Sequence, residues 1–219
     1  MTVLTAALAI FSSCKMENPL LVESRNPYGA PAFDKIKNEH YLPAFKEVIE
    51  RGKREIDEIV ANPQEPTFEN TIEALEYAGS DFGRICGIFY NLMECNTDDQ
   101  MQQIAEELNP LVTEFEMYSS LNPQLFEKVK AVWDSRDSLD LAQDQKQLLE
   151  KTYKGFVRSG ANLSEDDKKI YAGYVEELSQ IQLLFGKHAL AAAKAYTLNI
   201  TDENDLAGLP DYVKEMGRS

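Results

Sequence analysis

Residues 67–96 read TFENTIEALEYAGSDFGRICGIFYNLMECN, and the fold class follows from their spacing. Leu75, Phe82 and Phe89 recur at every seventh position, and Ala78, Ile85 and Leu92 fill the alternate seam. Such a repeat lays one continuous apolar stripe along a helix, suited to antiparallel packing against neighbouring helices. The stretch predicts a single helix over 67–96.

The pattern continues on both sides. Upstream, Tyr41, Phe45, Val48, Ile49, Ile56 and Val60 fall at helical spacing, with charged residues between them. Asn62-Pro63 ends that helix, because the residue before proline is pushed out of the helical region. Residues 26–31 (NPYGAP) are turn chemistry. Downstream, residues 96–99 supply breakers and N-cap candidates for a helix carrying Met101, Ile104, Leu108, Leu111, Val112 and Phe115. Pro110 falls inside it and predicts a kink or division near Asn109.

Asn122-Pro123 opens a further helix, with asparagine as cap and proline at its first position. Another is expected over about 140–159, where residues 159–162 break it. Ser164 caps the longest helix, and Glu165, Asp166 and Asp167 load its first turn with the charge that the helix dipole favours. Ile170, Tyr174, Leu178, Ile181 and Phe185 mark one face of it, and it should reach about Tyr196. Residues 197–200 read as extended, 205–210 as a turn, and a new helix begins at Asp211. Strand-like alternation is sustained nowhere, and no solenoid repeat recurs. The expected fold is all-α, an antiparallel array of long helices.

With 219 residues, 43% of them hydrophobic, the chain can bury a substantial core in one large domain or two small ones. Lys and Arg total 22 against 37 Asp and Glu, a net charge of −15. That charge is repelled by phosphate backbones and anionic lipid, so no nucleic-acid partner is expected. Of the three cysteines, Cys86 and Cys95 would lie roughly 13 Å apart along a shared helix, beyond disulfide reach.

Residues 1–14 have the shape of a secretory signal peptide. An apolar run from Val3 to Phe11 is followed by Ser12, Ser13 and Cys14. A cysteine directly after small residues resembles a bacterial lipobox, which makes Cys14 a lipidation candidate. Residues 15–30 then read as a tether, the folded body begins near residue 31, and the expected location is the bacterial cell envelope, periplasmic or lipid-anchored to the membrane.

Catalytic chemistry is not evident. A zinc hydrolase needs converging ligands, usually two histidines one helical turn apart with a glutamate beside the first. The two histidines, His40 and His188, have no partner at that spacing. They read as capping or packing residues, and no nucleophile elbow, phosphate loop or C-x-x-C pair is present. No catalytic and no metal-ligating residue is assigned.

Several segments nevertheless spell a family. Residues 33–45 (FDKIKNEHYLPAF), 65–72 (EPTFENTI) with 74–76 (ALE), 156–164 (FVRSGANLS), 177–179 (ELS), Phe185 and 206–210 (LAGLP) occur in the order that resembles the N-terminal region of the thimet oligopeptidase, oligopeptidase A and peptidyl-dipeptidase Dcp family of zinc metallopeptidases. The resemblance covers residues 31–219 and leans towards the peptidyl-dipeptidase branch. It implies two mostly helical halves around a deep channel that admits short peptides, with zinc at its floor.

The family's zinc helix and third ligand lie further along than Ser219. The resemblance therefore implies one helical channel wall with a substrate-gating role, truncated before the catalytic half. Zinc would belong to the full-length enzyme, and this chain would bind none and be inactive alone. An exposed apolar surface is expected where the missing C-terminal half would pack. The alternative is a non-catalytic helical envelope lipoprotein that binds a partner.

Overall fold

The computed structural model describes residues 17–218, and every regular element among them is helical. Helix α1 spans Asn38–Ala61. It starts where Lys37 leaves the chain extended and His40 reaches back, its Nδ1 accepting the Lys37 N–H at 3.0 Å. It stops where Asn62 turns extended ahead of Pro63. One face buries Tyr41, Phe45, Val48, Ile49 and Ile56.

The helix expected over 67–96 is not continuous. A π-helical turn, Phe68–Glu73, leads into the four-residue α2, Ala74–Tyr77, and α3 starts afresh at Ser80–Cys95. The stretch opens on a local cap and breaks where Gly79 turns. Thr67 and Asn70 exchange a reciprocal cap, Asn70 N–H to Thr67 Oγ1 at 3.2 Å and Thr67 N–H to Asn70 Oδ1 at 2.8 Å. Gly79 then adopts a left-handed conformation, φ 72°, with its N–H bonded to Glu55 Oε2 of α1 at 2.7 Å. The apolar stripe survives the break. Phe89 and Ile85 are fully buried, and Leu75, Ala78 and Phe82 pack partly buried against the core.

Helix α4, Asp99–Ser120, runs through Pro110 without dividing. Pro110 is exposed, so its ring and the missing donor face solvent rather than the core. Helix α5, Pro123–Asp134, is capped as expected, Asn122 Oδ1 accepting Leu125 N–H at 3.0 Å. Helix α6 is Gln143–Arg158 and α7 is Glu165–Ala195, where Ser164 Oγ accepts Asp167 N–H at 3.2 Å. Residues 197–200 belong to no regular element. A 3-10 turn, Glu203–Leu206, and α8, Asp211–Met216, follow.

Two compact units divide the chain, one reaching Gln180 and the other starting at Ile181. In the first, α1 is the central element and packs against α3, α4 and α5. A run of edge-on aromatic contacts links them: Tyr41 to Phe89 at 4.8 Å, Phe89 to Phe45 at 5.8 Å, Phe45 to Phe82 at 6.1 Å and Phe82 to Phe115 at 4.7 Å. Such pairs each contribute about 0.5–1.5 kcal/mol beyond the area they bury. Further along, Phe126, Val129, Leu149 and Phe156 join α5 to α6 in the same core cluster.

The stretch expected as a tether is, from its fourth residue, attached to the body. Asn18 Nδ2 donates to the His40 carbonyl at 2.8 Å, Leu20 is fully buried, and Arg84 of α3 donates to the Leu20 carbonyl at 2.9 Å. The buried leucine and these hydrogen bonds together offset part of the conformational entropy lost in ordering the segment.

Candidate functional site

The two histidines singled out in the sequence have definite places. His40 is occupied at the start of α1, its ring nitrogen accepting Lys37 N–H and its carbonyl accepting Asn18. His188 lies exposed on α7. His40 Nε2 lies 4.0 Å from Glu39 Oε1, and among the described residues no group of three or more His, Cys, Asp or Glu is placed to hold a metal ion. Cys14 lies outside the described residues.

Cysteine chemistry is suppressed at one of the other two positions. Cys86 and Cys95 are both on α3 and both free. Burial, with the Glu116 carboxylate adding to it, pushes the Cys86 thiol up to about 12, so it stays protonated and is a poor nucleophile at neutral pH. Cys95 is exposed at the helix end, its thiol 3.9 Å from Asn91 Oδ1.

What the chain does offer is surface. Helix α7 carries an apolar face that nothing in the first unit covers: Ile170 is 56% exposed, Tyr174 67% and Leu178 54%. These residues repeat every fourth position, which is one helix face. Lys168 is the residue of α7 that is buried, held by Glu165 at 3.1 Å, and Asn109 of α4 reaches Ser179 Oγ at 3.2 Å. In the second unit Ile181, Leu184, Phe185, Tyr196 and Tyr212 are also exposed. Large exposed side chains concentrated on one helix form an apolar patch of the kind that contact surfaces use.

A second feature was not legible from periodicity. Arg84 joins residues 64 apart by donating to Leu20, and Asp81 couples Arg84, at 3.0 Å, to Arg51 of α1, at 2.5 Å. The Arg84 hydrogen bond first, then the charges of both arginines, hold the Asp81 carboxyl below its ordinary value. The signal available in sequence was the Asn18-Pro19 turn pair followed by Leu20, Leu21 and Val22.

The comparisons with known proteins agree with this architecture. Residues 45–168, more than half of the chain, match the family described as the neurolysin/thimet oligopeptidase N-terminal domain. Dipeptidyl carboxypeptidase of Escherichia coli strain K12 is 38% identical over 194 residues, covering 89% of this chain and 28% of that protein. Oligopeptidase A of Haemophilus influenzae is 28% identical over 196 residues, covering 90% of this chain and 28% of that protein. A probable cytosolic oligopeptidase A of Arabidopsis thaliana is 24% identical over 193 residues, 88% of this chain and 27% of that protein. The chain thus spans little more than a quarter of the length of the curated relatives it matches. With a family match of this extent over an all-helical fold, the chain belongs to the neurolysin/thimet oligopeptidase N-terminal domain family.

Proposed function

We propose that this chain is the N-terminal, substrate-gating part of a zinc metallopeptidase that hydrolyses short peptides, of the peptidyl-dipeptidase kind. The observation that carries this reading is the uncovered apolar face of α7, which suits a helix whose packing partner is supplied by further chain. The choice of branch is supported by 38% identity to a dipeptidyl carboxypeptidase against 28% to an oligopeptidase A.

Among the described residues no three His, Cys, Asp or Glu side chains converge as zinc would need. On this reading zinc, its ligands and the general base belong to residues outside this chain. The part played here is exclusion by shape: a rigid helical wall admits an extended peptide and rejects a folded protein. We further propose that Cys14 is acylated and that the protein works in the cell envelope, a reading supported by the apolar run and small residues that precede it.

The test is to assay the polypeptide encoded by the whole reading frame against short peptides with free and with amidated C-termini, following products by mass spectrometry. Dipeptide release from free C-termini alone supports the proposal. Internal cleavage would move the protein to the oligopeptidase A branch, and no cleavage of either would favour the partner-binding lipoprotein.

A further inference from the structure

The residues after Cys14 are few, and then firmly held. Lys15, Met16 and Glu17 alone separate the lipidation candidate from Asn18. From Asn18 onward the backbone is attached to the body: Asn18 bonds to His40 of α1, Leu20 is fully buried, and Arg84 of α3 grips the Leu20 carbonyl. Arg84 is fixed in turn through Asp81 to Arg51. A free segment from residue 15 to 30 could reach about 55 Å, whereas the steps from Cys14 to Asn18 span at most about 14 Å.

The loop that follows turns apolar and aromatic side chains outward, beside the exposed Glu23 and Arg25. Val22, Tyr28 and Phe33 are exposed, Tyr28 completely so and in a left-handed conformation, φ 60°. The loop is closed on itself, Ser24 Oγ donating to the Ala30 carbonyl at 2.5 Å and Asn26 Nδ2 to the Pro31 carbonyl at 3.4 Å. Tyrosine held outward favours the headgroup level of a bilayer, where its ring is apolar on one side and its hydroxyl wet. A net charge of −15 repels an anionic surface, so it is the short attachment and these side chains that hold the body there and set the orientation.

We propose that the face bearing the residue 18–21 strap and the residue 22–33 loop is the membrane-facing side, resting on a bilayer surface at a fixed orientation. This inference rests on the acylation of Cys14. The body is then held against the bilayer, and the rest of the first unit points away from it.

The experiment is to express the full-length polypeptide in its native cells, confirm the state of Cys14 by mass spectrometry, and map crosslinks from a phospholipid with a photoreactive headgroup. Crosslinks confined to residues 17–36 and the adjoining turns of α3 are expected. An insertion of nine Gly and Ser residues between Lys15 and Met16 should spread them across the body by at least threefold, without touching the fold. Leu20→Ala should spread them in the same direction. Acylated Cys14 with crosslinks scattered over the wild-type body would overturn this inference alone. An unmodified Cys14 would overturn the acylation reading and this inference with it.

Discussion

A Cβ placed on Gly52 of α1 would stand 2.5 Å from Cζ of Phe115 on α4. The two helices approach so closely here because α1 presents no side chain at this position. Phe115 fills the space, buried to 6% exposure and edge-on to Phe82 at 4.7 Å. Alanine is the better helix former by about 1 kcal/mol. It would nevertheless force a ring that is fixed on its other side, and overpacking of this kind costs about 1–3 kcal/mol. Gly52→Ala should therefore be destabilising in urea titrations followed by circular dichroism. A variant more stable than the parent would show that α4 can give way.

Asp81 makes stability depend on acid. Its carboxyl is held below the ordinary value of 3.8, first by the Arg84 hydrogen bond and then by Arg51. A group depressed in the folded state stabilises the fold above its unfolded value and loses that contribution as pH falls through the folded one. Asp81→Asn should lower the melting temperature at pH 7, and the gap to the parent should close as the pH drops below about 4. Melting curves of both proteins between pH 7 and pH 2.5 decide it. A gap that stays constant would mean that the asparagine disturbs packing rather than charge.

Sequence pattern located the helices and the joints made by neighbouring residues, but not the joints made by remote ones. Caps built from adjacent residues, Asn122 for α5 and Ser164 for α7, were legible because donor and acceptor lie within one turn. The break at Gly79 was not, because its N–H is taken by Glu55, which lies 24 residues away. Periodicity counts side chains and is blind to such a bond. Leu20 escaped for the same reason, its partner Arg84 being remote in the chain. Pro110 does not divide α4, since a proline on the solvent face removes a donor that water can replace. The apolar face of α7 was visible as a stripe. Its exposure could be known only once the other helices were in place.

The cysteines should separate cleanly by reactivity. Only the thiolate attacks an alkylating reagent, and burial keeps the Cys86 thiol protonated with a value pushed up to about 12. Cys95 is exposed. With iodoacetamide at pH 8, peptide mapping should find Cys95 modified at least tenfold faster than Cys86. Addition of 8 M urea should bring the rates together. Comparable rates in the folded protein would mean that α3 opens readily, which its buried Ile85, Ile88 and Phe89 argue against.

Tyr174 and Leu178 give the sharpest test of what covers α7. Both are more than half exposed in this chain, and surface substitutions change stability by no more than about 0.5 kcal/mol. Tyr174→Ser and Leu178→Ser should therefore be nearly neutral in urea titrations of the 219-residue chain. If further chain packs on this face in the full-length polypeptide, the same changes remove buried apolar area there, at about 1.5–3 kcal/mol for each side chain fully covered. The full-length variants should then unfold at lower urea while the short ones do not. Equal and small effects in both proteins would leave the face uncovered in the full-length polypeptide and make it a surface for a separate partner. A large effect in the short chain would instead mean that α7 already packs against a second copy, which sedimentation at two concentrations would detect.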